Sequence, residues 1–170
     1  MQLYIDVEGW PEGEWDAVAN RAASATAKVE PALDNSRLTA SILFAADIEI
    51  HALNREWRGK DQATNVLSFP MLERNSLVSL PADGPPEMLG DIALGYETCQ
   101  READEKGIPL ADHAAHLLIH GLLHLAGHDH ETSPADAVAM EALETKILAS
   151  MGLADPYDEN AADPPVTGVQ

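Results

Sequence analysis

Three histidines in the C-terminal half of the chain have the side-chain type and the spacing to bind one metal ion. His120 and His124 are four residues apart, so a helix would project both imidazoles from one face, one turn apart. Gly127 favours the end of that helix, because glycine accepts a left-handed backbone conformation, and His130 follows three residues later. A turn at Gly127 could bring His130 back to the same ion. The pattern H-x3-H-x2-G-x2-H therefore predicts a three-histidine metal site.

The donor set indicates which metal the site would take. Three neutral imidazoles suit Zn²⁺, and three protein ligands leave a fourth coordination position for water, as in catalytic zinc sites. The spacing matches the three-histidine site of metzincin proteases, but Gly121 stands where those enzymes carry their glutamate. The sequence thus predicts one Zn²⁺ per chain. A zinc peptidase stays as an alternative that Gly121 disfavours.

Other side chains of the same segment leave alternatives for the ligand set. Six of the seven histidines lie within residues 113–130. His116 would be a ligand if the site lay one turn earlier, and His128 would replace His130 if the helix continued without a break. We favour the site that leaves out His116 and has His130, rather than His128, as its third ligand. Asp129 could orient a ligand by accepting its N–H, assist proton transfer, or be solvated.

The charge of the chain bears on its partners. A formal net charge of −19 disfavours general, charge-driven binding to nucleic acid. The charge is uneven, however, because nine of the ten Lys and Arg residues lie at or before Lys106. Arg55, Arg58 and Lys60 form a cationic cluster within NREWRGKD. On sequence alone, the favourable interaction of a cation with the C-terminal end of a helix is enough to explain Arg58.

Hydrophobic periodicity and capping residues predict the elements that position these side chains. The expected class is α+β, with a mixed sheet of about four strands packed with about five helices and a metalloprotease-like three-histidine zinc site. The predicted strands are QLYIDV, RLTASILF, NVLSFP and GDIALG, with an antiparallel hairpin from 66 to 94. The predicted helices lie between Pro11 and Pro31, from an N-cap at Asp47 to Gly59, in YETCQREADEKG, in the histidine segment, and from an N-cap at Ser133 to Gly152.

The composition predicts one domain with a tail. Residues 1–152 suit a single domain, and 153–170 contain prolines and acids without a cation, which is typical of a disordered segment. Residues 71–89 are rich in turn residues and are interpreted as a variable surface loop. The single cysteine, the N-terminal sequence and the lack of a long apolar run predict a cytoplasmic protein with no membrane partner.

Two separate segments resemble the YbeY family of bacterial endoribonucleases and rRNA maturation factors. These are HGLLHLAGHDH and REWRGKDQATNVLSFP, which occur in the family's order together with LGDIALG. The resemblance implies a metal-dependent, single-strand-specific endoribonuclease that acts in 16S rRNA 3′-end maturation, ribosome biogenesis and ribosome quality control. It also implies that single-stranded RNA, ribosomal RNA and the small ribosomal subunit are partners.

The resemblance implies roles for individual residues as well. The metal ligands fall on the three histidines of the predicted site, and the arginine that faces the metal falls on Arg58. Lys60 is a weaker candidate for a phosphate contact. His128 stands where tyrosine is frequent in the family, so it adds an imidazole beside the site. The acidic charge adds basic ribosomal proteins as expected partners, and a metal-stabilised, non-catalytic ribosome-assembly module is the second alternative function.

Overall fold

Strands and helices intermix along the chain in a computed structural model that describes residues 1–129 and 132–157. The strands and α-helices of these residues are, in order, β1 (Gln2–Val7), α1 (Trp15–Val29), β2 (Leu38–Ala45), α2 (Asp47–Arg58), β3 (Val66–Pro70), α3 (Arg74–Val78), β4 (Glu87–Gly95), α4 (Tyr96–Lys106), α5 (Leu110–Leu125) and α6 (Pro134–Ser150). A short 3-10 helix, Pro31–Leu33, follows α1. Among the described helices, none combines the length and the apolar character needed to cross a membrane.

The strands form one mixed sheet in the order β1-β2-β4-β3. β1, β2 and β4 are parallel to one another, and β3 pairs antiparallel with β4, with Val66 opposite Leu94. The predicted α+β class, the four strands and the antiparallel hairpin are confirmed. The prediction of about five helices is wrong, because the described residues form six. The additional helix is α3, which lies in the predicted loop and has only five residues, too few to show a helical period.

Alternate side chains of the strands enter two cores, one on each face of the sheet. On β2, Ile42 and Phe44 belong to the larger core with α1 and α5, whereas Leu43 and Ala45 belong to a smaller core with α2. The same alternation continues on β3, where Ser68 faces α5. Helix α5, which contains most of the histidine segment, therefore packs on the same face of the sheet as α1.

The helix ends follow the predicted capping residues with one exception. The Ser133 hydroxyl accepts a backbone hydrogen bond at the start of α6 (3.1 Å), which confirms the N-cap. Gly59 and Gly152 have φ values of +68° and +77°, as predicted for residues that end α2 and α6. The predicted N-cap at Asp47 is wrong, because Asp47 is the first residue of α2. Its carboxylate instead accepts hydrogen bonds from the Thr98 N–H (3.1 Å) and hydroxyl (2.6 Å), which ties α2 to α4.

The segment that follows α6 begins with contacts to the domain. Leu153 packs against the larger core, and Asp155 accepts a hydrogen bond from a threonine hydroxyl of α6 (3.1 Å) and another from the Tyr157 N–H (2.8 Å). These residues belong to the predicted tail. Residues 158–170 lie outside the described residues, so the disordered tail and the domain boundary at residue 152 stay predictions.

Candidate active site

Helix α5 places two of the predicted ligands in one cleft. His120 and His124 line a cleft of about 220 Å³, together with residues of α2, of the loop after it and of β3. Helix α5 lies against β3 and β4. Gly121 permits this close approach, because a Cβ atom at this position would lie 3.0 Å from Cδ1 of Ile92. The predicted pair of imidazoles therefore shares one space.

A hydrogen bond at Nδ1 holds each of these imidazoles. His124 Nδ1 lies 2.9 Å from the Ser68 hydroxyl on β3, and His120 Nδ1 lies 2.8 Å from Oε2 of Glu144 on α6. A ring that is held through Nδ1 offers Nε2 as its metal-binding atom, as in many protein metal sites. The two imidazoles therefore fit the donor chemistry of a zinc ligand pair.

Glu144 is a buried carboxylate that the sequence analysis did not identify. It is 1% exposed and accepts hydrogen bonds from His116 Nε2 (2.7 Å), from His120 Nδ1 (2.8 Å) and from the Tyr157 hydroxyl. Burial raises the pKa of Glu144, but the hydrogen bonds from His116, His120 and Tyr157 outweigh burial and lower the pKa to about 2. Glu144 is therefore ionised at neutral pH, and the imidazole N–H groups donate to it. Burial lowers the pKa of His116.

The third predicted ligand, His130, lies outside the described residues. The turn that leads towards it is described: α5 ends at Leu125, and Gly127 has a φ of +100°, which confirms the predicted break of the helix. Within residues 1–129 and 132–157, no three His, Cys, Asp or Glu side chains form a group that could hold a metal. The described part of the chain thus brings together two of the three predicted ligands.

The two residues after Gly127 line a second cleft. His128 Nε2 lies 2.8 Å from Oε1 of Glu30, which also accepts a hydrogen bond from Arg74. Asp129 is exposed in the same cleft. The structure therefore directs the His128 ring towards the end of α1. The roles predicted for His128 and Asp129 beside the metal stay predictions.

Two cations at the end of α2 line the same cleft as the imidazoles. Arg58 is the last residue of α2, and Lys60 follows the left-handed Gly59. Both side chains are exposed, and neither forms an ion pair with any of the residues that the structure describes. The neighbouring acid, Asp61, instead pairs with His51 at 2.6 Å. Both cations are therefore available to an anionic ligand.

Asn54 connects α2 to the loop that carries Lys60. Asn54 is 2% exposed, and its side chain donates from Nδ2 to the Gln62 carbonyl (2.9 Å). The main-chain carbonyl of Asn54 accepts from the Lys60 N–H (3.2 Å). No motif or spacing in the sequence singles out Asn54. The two hydrogen bonds hold the loop against the helix, and so they position one wall of the cleft.

We expect Asn54→Ala to lower the free energy of unfolding by about 0.5–1.5 kcal/mol, because the hydrogen bond from its side chain to the Gln62 carbonyl is lost. Urea denaturation measures this change. Asn20→Ala is the matched control, since Asn20 makes the same kind of bond to a helix carbonyl (2.8 Å) but is exposed. Equal stability of the two variants would contradict the role of Asn54.

A second histidine–glutamate pair lies next to Asn65, and neither of its members lines the cleft. His113 Nε2 lies 2.8 Å from Oε1 of Glu102, and Asn65 Nδ2 donates to the same oxygen (3.0 Å). Burial raises the pKa of Glu102, but the hydrogen bonds from His113 and Asn65 outweigh burial, and the pKa lies below its ordinary value of 4.5. Glu102 therefore links α4, α5 and the residue before β3 through hydrogen bonds.

The lowered pKa of Glu102 predicts a pH dependence of stability. Its ionised form favours the folded chain above about pH 4.5, and this contribution is lost as the pH falls through the folded-state pKa. We expect the unfolding free energy of the wild-type protein to fall more steeply below about pH 4.5 than that of Glu102→Gln. Denaturation at a series of pH values measures both slopes. Glu105→Gln, an exposed change on the same helix, should keep the wild-type slope, and equal slopes for all three proteins would contradict the assignment.

Known proteins share both the sequence and the fold. Residues 5–152 match the family model described as Endoribonuclease YbeY. An Endoribonuclease YbeY of Erythrobacter litoralis is 61% identical over 159 residues, which cover 94% of this chain and 99% of the relative. That of Novosphingobium aromaticivorans is 55% identical over 158 residues, with coverage of 92% and 95%. The solution structure of a Thermotoga maritima protein, 20% identical, has a TM-score of 0.56 and covers 99% of this chain and 100% of its own, which supports the fold alone.

The structure defines an α+β protein in which a histidine-bearing helix and a cationic loop border one cleft. The family match and the relatives extend over nearly the whole chain. The chain belongs to the Endoribonuclease YbeY family. The resemblance seen in the two sequence segments is thereby confirmed.

Proposed function

We propose that the protein is a zinc-dependent endoribonuclease that hydrolyses phosphodiester bonds of single-stranded RNA. The observation that carries this proposal is the cleft itself, which brings His120 and His124 together with Arg58 and Lys60. Paired imidazoles beside cations that have no acidic partner within residues 1–129 and 132–157 suit a substrate whose reacting group is a phosphate. The name of the family supports RNA, rather than peptide, as that substrate.

Each side chain of the cleft has a separate role in this proposal. Zinc, when held by His120, His124 and, as predicted, His130, supplies Lewis acidity and lowers the pKa of water towards about 7. Arg58 would bind two non-bridging phosphate oxygens with its planar guanidinium and stabilise the charge that develops there. Lys60 would neutralise a neighbouring phosphate as a point charge.

We further propose that the activity serves 16S rRNA 3′-end maturation, ribosome biogenesis and ribosome quality control in the cytoplasm. The net charge of −19 favours an approach to the small ribosomal subunit through basic ribosomal proteins, with RNA contacts confined to the cationic cleft. The sheet face next to α2 suits such a basic partner. There Tyr4 and Trp57 are exposed beside the acids Asp6 and Glu8.

The test is incubation of the purified protein with single-stranded RNA, duplex RNA, single-stranded DNA and an unstructured peptide. We expect cleavage of the single-stranded RNA alone, its loss with a chelator, and its return when Zn²⁺ is added back. A His124→Ala protein purified in parallel controls for contaminating ribonuclease. Cleavage of the peptide would support the zinc peptidase, and binding of RNA without cleavage would support the assembly module; either result contradicts the proposal.

A further inference from the structure

The buried carboxylate of Glu144 connects a predicted zinc ligand to the residues that follow α6. The other buried residues of this helix are Met140, Ile147 and Leu148, all apolar. A carboxylate in such surroundings is costly unless hydrogen bonds compensate for the lost hydration, and an apolar side chain would fill the same space without that cost. Packing alone therefore does not require a charged side chain at Glu144, which indicates that the carboxylate has a further role.

The hydrogen bonds of Glu144 assign its two oxygens to different neighbours. Oε2 accepts from His120 Nδ1 at 2.8 Å, while Oε1 accepts from His116 Nε2 at 2.7 Å and from the Tyr157 hydroxyl. The Tyr157 ring also meets the His116 ring edge-on, with the ring centroids 5.6 Å apart. His116 and Tyr157 thus fix one oxygen of the carboxylate, and this fixes the direction in which the other oxygen faces His120.

An ionised carboxylate only accepts hydrogen bonds, so it selects one form of the neighbouring ring. It binds the tautomer of His120 that carries its proton on Nδ1. In that tautomer Nε2 carries the lone pair that a metal ligand must offer. Glu144 therefore fixes both the orientation of His120 and the chemical identity of its second nitrogen.

We propose that Glu144 is a positioning residue for the metal site, and that it holds His120 in the orientation and tautomer that bind zinc through Nε2. His116 and Tyr157 act in turn by holding Glu144, so His116 supports the site without being a ligand. The proposal rests on the proposed function in one respect, namely that zinc is the metal bound.

Two substitutions separate this role from ordinary packing. Glu144→Gln keeps the size of the side chain but replaces one acceptor oxygen with an NH₂ donor, so one of the two imidazoles then faces a donor. Glu102→Gln is the matched control, because Glu102 makes an equivalent 2.8 Å bond to a buried histidine of α5, His113, and lies outside the Glu144 cluster. Far-UV circular dichroism and urea denaturation show that each variant is folded.

Zinc affinity and the protonation of the His120 ring are the two measurements. In competition with a chromophoric chelator, we expect Glu144→Gln to bind Zn²⁺ about 10–100-fold more weakly than the wild-type protein, the usual loss when a ligand's hydrogen-bond partner is removed. Glu102→Gln should keep the wild-type affinity. In metal-free protein, ¹⁵N NMR of the imidazoles should show His120 protonated on Nδ1 in the wild type and a mixture of tautomers in Glu144→Gln.

Each outcome decides the proposal. A folded Glu144→Gln protein that keeps the wild-type zinc affinity and the Nδ1-protonated ring overturns it. If that variant does not fold, the wild-type spectrum decides, because a His120 ring protonated on Nε2 overturns the proposal and one protonated on Nδ1 supports it. Tyr157→Phe, which removes one donor to Glu144 and keeps the carboxylate, should then bind zinc more weakly than the wild-type protein. A wild-type protein that binds no zinc overturns the proposed function, whereas the tautomer of His120 still reports whether Glu144 orients the ring.

Discussion

Replacing His124 with alanine should strip zinc from the protein and reduce cleavage of single-stranded RNA by more than about 100-fold. Partners of a ligand contribute about 10–100-fold to metal affinity, and removal of a ligand itself should cost more. The imidazole of His124 lies in the cleft, and the Ser68 hydroxyl, 2.9 Å from its Nδ1, helps to hold the ring there. Elemental analysis of the dialysed protein gives the zinc content, and initial rates on a labelled oligonucleotide give the activity.

The control for this substitution is His51→Ala. His51 is a histidine of α2 that pairs with Asp61 at the surface and does not line the cleft. The His51→Ala protein should keep one zinc per chain and should cleave single-stranded RNA at the wild-type rate. A His124→Ala protein that retains both zinc and activity would show that the predicted site is not the metal centre.

Arg58→Ala should lower kcat by about 100- to 1,000-fold and leave the zinc content unchanged. Removing one donor that stabilises transition-state charge costs about 3–4 kcal/mol in other enzymes, and Arg58 is placed in the cleft without an acidic partner among the described residues. Its loss should cost the fold less than about 1 kcal/mol, because it is exposed at the C-terminal end of α2. Steady-state kinetics and elemental analysis of the same preparation check both statements.

Two further substitutions test whether the loss of activity is specific to the guanidinium of Arg58. Arg55→Ala removes a cation one turn earlier, which lies 3.8 Å from Asp61 and does not line the cleft, and it should leave kcat unchanged. Arg58→Lys should recover part of the activity, because lysine keeps the charge but loses the planar fork that binds two oxygens. Loss of zinc in Arg58→Ala would assign Arg58 to metal binding rather than to the phosphate.

The sequence predicted the larger elements of the fold because their signals are local. Alternation revealed the four strands, and Gly59, Gly127 and Gly152 marked helix ends at which the backbone does turn left-handed. Helix α3 has five residues and shows no periodicity of its own. The carboxylate of Asp47 resembled a cap in sequence, but α4 is close enough in the fold to take its hydrogen bonds through Thr98.

The candidate site could be predicted only where its members are neighbours in sequence or share a helix face. His120 and His124 follow from a spacing of four, whereas the role of Arg58 came from the family resemblance, and Lys60 was a weaker candidate in the same short cationic segment. The fold brings all four to one cleft. Glu144 lies 24 residues beyond His120, in a helix whose sequence gives no sign that this carboxylate is buried. That contact arises from the packing of α6 on α5, which periodicity does not reveal.

Anomalous diffraction at the zinc absorption edge, from crystals grown with Zn²⁺, shows whether His120 and His124 hold the metal. We expect one strong peak per chain in the cleft, in contact with the imidazoles of His120 and His124 and on the side that Arg58 and Lys60 also line. A peak elsewhere in the molecule, or none in the cleft while the two rings point away from each other, would contradict it.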